Sequence, residues 1–428
     1  MSKITAPRGT ADTLPADSWK WQAVEAIARQ VATLYHFSEI RTPIFESTEL
    51  FHRGVGETTD VVSKETFTFT DRGGDSITLR PEQTAGVVRA AIEGNLLAQE
   101  GARQKLFYIG PNFRYERPQK GRLRQHHQFG VEAFGVAGAE QDVECILLQL
   151  DFYRRCGITQ MSLHINSLGD AQSKARYRDQ LVSFLGPKSS SLSEESQRRL
   201  ESNPLRILDS KDPRDKDAIA AVSPAYEFLS PDSQKHFARV EQLLKQSNVN
   251  FVSDGKLVRG FDYYTETLWE VTAAGLGSQN ALGGGGRYDN LVETLGGRPT
   301  PGVGFGSGLE RLLIALESQQ ANFPDPRPPL VWLAFHGPAA RDASWRLLIE
   351  LRQAGIAADM DLSDRSIKAQ FKIADREAAK FCLIIGDNEL AADQVTLKDL
   401  TTGEQSSLSR AQIISHLVKM VPISGIPT

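Results

Sequence analysis

The stretch FRYERPQKGRLRQHHQFGVEAFG, residues 113–135, concentrates positive charge in a chain whose formal net charge is only −4. Two strand-like segments flank Pro118 and Gly121, so the stretch predicts a β-hairpin. Its cations are Arg114, Arg117, Lys120, Arg122 and Arg124. A solvated charged strand is the usual interpretation of such a run. Here a single acid separates five cations, and their mutual repulsion favours an anionic ligand instead.

Alternation along the two strands predicts which side chains share a face. Arg114 and Glu116 share a face of the first strand. The second strand carries on one face Arg124, His126, Gln128, Gly130 and Glu132. If the two faces coincide, cations occupy one end of a sheet surface, with an amide and a carboxylate at the other. Guanidinium groups suit phosphate oxygens, whereas Gln128 and Glu132 suit a small molecule with an ammonium or an imidazole N–H.

A second candidate is LVRGFDYYTETLWEV, residues 257–271, in which Arg259 lies among apolar neighbours. We expect its charge to be partly buried, and a buried cation needs a partner. A structural salt bridge to Asp262 and a contact with a phosphate are equally supported. Tyr264 offers a hydroxyl to a polar ligand.

Three further segments carry weaker signals. GGGGRYDNL and GVGFGSGLERL match neither the dinucleotide fingerprint nor a P-loop, so their glycines either pack beneath a helix or admit a ligand. Arg311 could reach the same surface. In TLRPEQTAG, Glu82 and Thr84 either hold an ammonium or cap a helix, and position alone favours the cap.

The composition predicts a globular protein of two or three domains, because the chain has 428 residues, 40% of them apolar. Three cysteines without a C-x-x-C pair indicate a reducing compartment. The chain shows no secretory signal and no apolar run of membrane length. We therefore expect a cytoplasmic protein with no membrane association.

Periodicity predicts an α+β chain with two domains. Residues 1–325 alternate helices with an antiparallel sheet and contain a helical insertion at about 170–249. Near the start, SEIRTPIFES predicts a strand in which Pro43 avoids a hydrogen-bonded position. PDPRPP forms a linker. Beyond it, residues 328–428 alternate strands and helices, which predicts a small α/β domain.

Together these segments resemble the class II aminoacyl-tRNA synthetases. Residues 113–135 are similar to motif 2, PGVGFGSGLERLL to motif 3, and IRTPIFE to motif 1, which builds the dimer interface in that class. Residues 257–271 and GGGGRYDNLVETLGG resemble segments of the histidyl-tRNA synthetases. Residues 366–405 are similar to the bacterial anticodon-binding domain of that family. The resemblance runs in order from about Arg8 to His416.

The resemblance implies a six-stranded antiparallel catalytic sheet flanked by helices, a helical insertion that approaches the tRNA acceptor stem, and a homodimer. It also implies a two-step reaction. The carboxylate of L-histidine attacks the α-phosphorus of ATP, which gives histidyl-adenylate and pyrophosphate. The histidyl group then passes to the 3′-hydroxyl of tRNA(His). Mg²⁺ would accompany ATP rather than occupy a site built by the protein.

The family's functional residues carry over to matching positions. Arg114 and Arg259 would hold the α-phosphate as catalytic residues. The ATP site would comprise Arg114, Glu116, Arg122 and Arg311. The α-ammonium of histidine would meet Glu82, Thr84 and Gln128. The imidazole would meet Glu132 and Tyr264, with Tyr263 and Tyr288 nearby.

Two alternatives remain. A related non-catalytic protein, the histidine-sensing regulatory subunit of ATP phosphoribosyltransferase, typically lacks the anticodon domain and key arginines, whereas this chain keeps Arg114, Arg259, Arg311 and the C-terminal domain. A ligase for another small acid is disfavoured by that domain and by the Glu132–Tyr264 pair. The departures from the family pattern are His126, where an aromatic such as Phe is expected, and Glu266, Trp269 and Asn290.

Overall fold

The computed structural model describes residues 3–56, 59–276, 280–321, 327, 329–363 and 365–420. The chain divides into two compact units, Met1–Asp325 and Pro326–Thr428. Most of the predicted linker, residues 324–329, lies outside the described residues. Within the described part of the chain, no helix is both long enough and apolar enough to cross a membrane.

The first unit contains a large sheet and a small one. Its strands are β1 Ser38–Glu39, β2 Phe45–Ser47, β3 Phe67–Thr70, β4 Ser76–Leu79, β5 Gln104–Phe113, β6 Gln125–Phe134, β7 Met161–Ser167, β8 Val252–Ser253, β9 Thr265–Ala273, β10 Ala281–Arg287 and β11 Gly302–Gly308. The large sheet has the order β1-β5-β6-β11-β10-β9-β7-β8, and β2-β4-β3 form the small one. The six central strands are antiparallel, as expected. The sheet is wider than predicted because the two-residue strands β1 and β8 add parallel edges.

Helices pack on both faces of the large sheet. The helices of this unit are α1 Pro15–Leu34, α2 Thr48–Val55, α3 Asp60–Lys64, α4 Thr84–Glu93, α5 Ala139–Cys156, α6 Ala171–Leu185, α7 Glu194–Ser202, α8 Lys216–Ala220, α9 Pro231–Gln246, α10 Leu291–Thr294 and α11 Leu309–Ser318. Phe129 of β6 meets Phe152 of α5 edge to face at 4.8 Å and Phe305 of β11 at 5.8 Å. This aromatic contact fixes α5 beneath the centre of the sheet.

The predicted strand at 38–47 is interrupted in the structure. β1 ends at Glu39 and β2 begins at Phe45, so Pro43 lies between the two strands. A proline has no N–H for a ladder, and it is tolerated where no partner strand requires one.

The segment between β7 and β8 is helical, as predicted, but its helices pack in two places. α6 to α8, together with short 3₁₀ turns, form a cluster around Tyr177, Leu181 and Leu185, and the same cluster includes Tyr264. α9 instead packs against α5. Its apolar residues Phe237, Val240 and Leu244 join the core under the sheet, because α9 is amphipathic and the surface of α5 is the nearest apolar partner.

The second unit is a mixed α/β domain, as predicted. Its strands are β12 Val331–Phe335, β13 Ala358–Met360, β14 Phe381–Ile385, β15 Gln394–Asp399 and β16 Gln405–Ser409, and its helices are α12 Pro338–Gln353, α13 Ile367–Arg376, α14 Asp387–Ala391 and α15 Ile413–Met420. The sheet order is β13-β12-β14-β15-β16. The first three strands are parallel and the last two pairings are antiparallel.

Candidate active site

A cavity of about 1010 Å³ lies in the first unit, beside the central strands. It brings together the predicted residues Glu82, Thr84, Arg114, Glu116, Arg122, Gln128, Arg259, Tyr263, Tyr264, Tyr288 and Arg311. Glu132 is fully buried beneath them. Residues from β6, β10 and β11 and from the insertion also contribute to its wall.

The register of the central hairpin explains this convergence. β5 pairs with β6 so that Gly110 lies opposite Gln128 and Leu106 opposite Glu132. On the other side of β6, Gly304 of β11 pairs with Glu132. A β-carbon at Gly304 would overlap the Glu132 carboxylate, so this glycine lets the two strands approach around a buried acid.

The arginines at one end of the cavity are anchored by uncharged groups and by acids. Arg114 Nε donates to the carbonyl of Pro81 at 2.8 Å, and its guanidinium carbon lies 5.6 Å from the centre of the Phe261 ring. Arg311 donates from Nε to the carbonyl of Gly121 at 3.1 Å and from Nη1 to that of Ala281 at 3.0 Å. Such anchoring fixes the position of each guanidinium.

These cations lie close enough to affect one another. Arg122 pairs with Glu116, whose carboxylate is also 3.9 Å from Arg114 Nη1. Burial, followed by the positive charge of Arg122, lowers the pKa of the Arg311 guanidinium. An anion placed between these groups would therefore relieve repulsion.

Arg259 is partly buried, as predicted, with 20% of its side chain exposed. Its ion-pair partner is Glu270, at 3.0 Å. A structural salt bridge, one of the two alternatives for Arg259, is therefore present, but to Glu270 and not to Asp262, whose Oδ1 accepts a hydrogen bond from Asn203 at 2.7 Å. Arg259 still lines the cavity.

The expectation that Arg124 shares the face of Gln128 is also wrong. Its guanidinium carbon lies 3.9 Å from the centre of the Tyr115 ring, and its Nε donates to the carbonyl of Glu116 at 3.3 Å. β6 begins at Gln125, so strand alternation does not extend to position 124. Arg117 and Lys120, both described by the structure, do not line the cavity either.

Glu132 forms the polar floor at the other end. Thr84 Oγ1 donates to its Oε1 at 2.8 Å and Tyr108 OH donates to the same oxygen at 3.2 Å. The hydroxyl of Tyr288 donates to Oε2. Burial raises the pKa of Glu132 to about 8, although these hydroxyls oppose the shift.

Glu82 caps a helix, which is the alternative that position favoured. Its carboxylate accepts from the backbone N–H of Thr84 at 2.7 Å and of Ala85 at 2.9 Å, at the start of α4. Burial raises its pKa. It also lines the cavity, so the capping contacts orient a carboxylate toward the ligand space.

Three tyrosines form an aromatic wall between the two ends. The Tyr263 ring lies 4.6 Å from that of Tyr264 and 5.7 Å from that of Tyr288. Because Tyr288 also donates to Glu132, the wall and the floor are one hydrogen-bonded unit.

Sequence reasoning missed two residues of this floor, Tyr108 and Asn112. Asn112 is fully buried, and its Nδ2 donates to Gln128 Oε1 at 2.7 Å. An amide oxygen accepts two hydrogen bonds, so Gln128 retains an acceptor. Both missed residues have the strand parity of Arg114, which is the signal that could have found them.

The neighbouring histidines point to opposite faces, as predicted. His126 lines the cavity beside the arginines. Burial, and then the positive charge of Arg114, holds its pKa well below its usual value, so the ring is neutral. His127 Nδ1 instead contacts Glu310 Oε1 at 2.9 Å, and its ring meets Trp21 edge to face at 5.0 Å.

The other three departures from the family pattern have structural partners and do not line the cavity. Glu266 accepts from Ser233 Oγ at 2.7 Å, and Trp269 Nε1 donates to Gln149 Oε1 at 2.7 Å. The Asn290 carbonyl accepts from Thr294 at the end of α10.

Comparison with known protein families tests the family resemblance that the sequence motifs indicate. Residues 9–312 match the family model for histidyl-tRNA synthetase. The chain belongs to the histidyl-tRNA synthetase family. Residues 331–420 match an anticodon-binding domain. The predicted family and the predicted enzyme class, an aminoacyl-tRNA ligase, are confirmed.

Full-length relatives are similar to the chain throughout. A histidine–tRNA ligase from Moorella thermoacetica is 48% identical, over 97% of this chain and 98% of the relative. One from Halalkalibacterium halodurans is 46% identical, over 98% of both chains. Both domains of the histidyl-tRNA synthetase family are therefore present in one chain.

Solved structures agree with the fold. The apo histidyl-tRNA synthetase of S. aureus matches with a TM-score of 0.81 at 36% identity, over 97% of this chain and 99% of that one. A Bacillus halodurans protein described as an ATP phosphoribosyltransferase regulatory subunit/histidyl-tRNA synthetase matches with a TM-score of 0.62 at 22% identity, over 90% of this chain and 98% of that one. The latter shows the fold alone.

Proposed function

We propose that the cavity joins L-histidine to ATP as histidyl-adenylate, and that the chain then transfers the histidyl group to the 3′-hydroxyl of tRNA(His). The observation that carries this proposal is the convergence of Arg114, Arg259 and Arg311 on one cavity whose floor is the buried carboxylate of Glu132. Cations at one end suit a triphosphate, and a hydrogen-bonded acid at the other suits an imidazole.

At the nucleotide end, Arg114 and Arg259 contact the α-phosphate, while Arg122 and Arg311 contact the outer phosphates. Glu116 completes this ATP site, because its ion pair with Arg122 holds that guanidinium in the cavity wall. In the reaction, the histidine carboxylate attacks the α-phosphorus as pyrophosphate departs in line. Guanidinium groups already fixed by Pro81 and Glu270 need little reorganisation as charge moves, and this preorganisation lowers the barrier.

At the amino-acid end, the α-ammonium donates hydrogen bonds to the side-chain oxygens of Glu82, Thr84 and Gln128. Glu132 and Tyr264 bind the imidazole, with Tyr263 and Tyr288 beside it. Holding the carboxylate against the α-phosphorus makes the attack effectively unimolecular. A side chain without ring nitrogens would leave buried polar groups unpaired, a penalty that reaches roughly 10⁴-fold in comparable sites.

Mg²⁺ accompanies ATP in this proposal, with the triphosphate supplying most of its ligands. The described residues contain no cluster of three metal-ligating side chains. Glu116, Glu270 and Glu310 are each engaged by a cationic or imidazole partner. Bound Mg²⁺ would offset phosphate charge.

We assign residues 1–325 to adenylate formation, with the insertion at about 170–249, and residues 328–428 to binding of the tRNA anticodon region. Lys368 and Lys372 support the second assignment. Both are exposed on α13, one turn apart, and neither makes an ion pair within the described residues. Unpaired lysines on one helix face suit a phosphate backbone.

We also propose a homodimer formed through the small sheet. Phe45 of β2 and Phe69 of β3 are 54% and 49% exposed, and the adjacent Ile44 is 44% exposed. Large apolar side chains clustered at the surface mark an interface.

We further propose that the chain works in the cytoplasm. Its three cysteines are buried and form no disulfide, which fits a reducing compartment.

Aminoacylation tests the proposed function directly. The purified chain is incubated with ATP, Mg²⁺, labelled L-histidine and tRNA(His), and acid-precipitable label is measured. We expect charging that requires every component. Histidine binding without charging would instead favour the regulatory-subunit alternative, and no histidine binding would contradict both.

A further inference from the structure

The segment 259–264 that carries Arg259, Tyr263 and Tyr264 belongs to no helix or strand. Side chains that line a catalytic cavity from irregular backbone need that backbone fixed by other elements. Residues of the insertion and of α2 make the fixing contacts, and three of them, Lys174, Asn203 and Val55, do not line the cavity.

Lys174 of α6 makes the central contact. Its ammonium donates to the carbonyl of Asp262 at 2.7 Å and to that of Tyr264 at 3.2 Å. These two carbonyls flank Tyr263 in the chain, so a single cation holds the backbone on both sides of that residue. Charge-assisted hydrogen bonds are stronger than neutral ones.

Two further contacts hold the same segment. Asn203 Nδ2 donates to Asp262 Oδ1 at 2.7 Å, and the Asp262 N–H donates to the carbonyl of Val55, at the end of α2, at 3.3 Å. Arg206 of the insertion lies against Gly260, where a β-carbon would be 3.5 Å from its Nη1. The apolar cluster of the insertion also continues into Tyr264.

Burial at this position supports a specific role for a charged donor. Burial lowers the pKa of Lys174, and the negative charge of Asp262 opposes the shift. A lysine that loses solvation on folding is retained where its hydrogen bonds are needed. Methionine at this position would leave two carbonyls without their donor.

We propose that Lys174 is a positioning residue for the amino-acid pocket, which fixes Tyr263 and Tyr264 and couples the geometry of the helical insertion to the selection of the amino acid. The inference rests on the proposed function, because it assigns a purpose to the predicted histidine pocket. Lys174 does not line the cavity, so it acts through the segment 259–264.

The test compares Lys174→Met, Lys174→Arg and Lys188→Met in the full-length chain. Lys188 lies in the same insertion, with its ammonium 3.7 Å from the centre of the Phe184 ring, and it does not line the cavity. Pyrophosphate exchange gives the KM for histidine and for ATP separately. We expect Lys174→Met to raise the histidine KM about tenfold, an effect of the size expected when a charged hydrogen-bond donor is removed, with little change in the ATP KM.

Lys174→Arg should restore most of the histidine affinity, and Lys188→Met should leave both constants unchanged. Asn203→Ala provides a second test, since it removes the hydrogen bond that Asn203 donates to Asp262 Oδ1. Thermal unfolding with and without L-histidine reports binding independently of the reaction. An unchanged histidine KM, or equal increases in both constants, would overturn the inference alone. Absence of histidine-dependent exchange in the unaltered chain would overturn the proposed function as well.

Discussion

The Thr84 hydroxyl donates a hydrogen bond of 2.8 Å to Oε1 of Glu132, a residue 48 positions further along the chain. This hydrogen bond joins the start of α4 to the centre of β6. The position proposed to bind the ammonium of the substrate is thereby fixed relative to the position proposed to bind its imidazole. In the proposed site, one buried network would therefore hold the amino acid at both ends.

Replacing Glu132 by Gln should change how the stability of the chain depends on pH. Burial raises the pKa of Glu132 to about 8 in the folded chain, so ionising it costs stability increasingly as the pH rises from its unfolded value toward 8. The unaltered chain should lose stability relative to Glu132→Gln between about pH 5 and pH 9. Thermal unfolding of both proteins across this range measures the difference. A difference that does not vary with pH would contradict an acid of raised pKa at this position.

Arg259→Ala should abolish histidine-dependent pyrophosphate exchange. Loss of one fixed cation at a developing charge costs at least about 100-fold in rate. Arg239→Ala is the matched control, because Arg239 pairs with Glu140 at the exposed surface. Circular dichroism of both variants checks the fold. Near-normal exchange in a folded Arg259→Ala variant would exclude the assigned role.

Asp215→Asn should lower the local stability of the helical insertion. The Asp215 carboxylate is fully buried and accepts hydrogen bonds from Ser193, Ser196 and Ser210. Burial alone would raise its pKa, but these donors lower it to about 2. The stabilisation of about 2 kcal/mol is therefore present above the unfolded pKa and is lost as the pH falls toward 2.

Hydrogen exchange across residues 171–229 measures the effect of Asp215→Asn at neutral pH. We expect faster exchange there, with residues 104–134 of the central hairpin unchanged. Uniform protection throughout the variant would show that this carboxylate contributes nothing to local stability.

Deleting residues 328–428 should separate the two steps of the reaction. The apolar core of the second unit is built from its own residues, and every proposed contact with histidine and ATP lies in the first unit. Exchange should persist in the truncated chain, while charging of tRNA(His) should be crippled. Undiminished charging by the truncated chain would contradict a role of the C-terminal unit in tRNA binding.

The sequence predicted the helices and strands better than the surfaces against which they pack. Hydrophobic periodicity identified the helices and central strands because burial of one face imposes a period. It could not show that α9 packs on α5, which depends on which apolar surface is nearest in three dimensions. The predicted strand at 38–47 is two strands in the structure, with Pro43 between them. The apolar pattern favours one continuous strand, but proline has no N–H to donate to a neighbouring strand.

The candidate site shows the same limit. Parity placed Gln128 and Glu132 on one face, but Arg124 lies just outside β6 and turns toward Tyr115. The sequence offers Asp262, three residues away, as one alternative partner of Arg259, whereas the structure pairs Arg259 with Glu270 of β9. Lys174 gave no signal at all, because its contacts with residues 262 and 264 arise only from tertiary packing.

The most direct measurement is ATP–pyrophosphate exchange by the full-length chain in the presence of each of the twenty amino acids in turn. The anchored guanidiniums and the Glu132 network predict exchange with L-histidine and with none of the others. Exchange driven by a different amino acid, or by none, would contradict the central claim that this cavity aligns histidine with the α-phosphate of ATP.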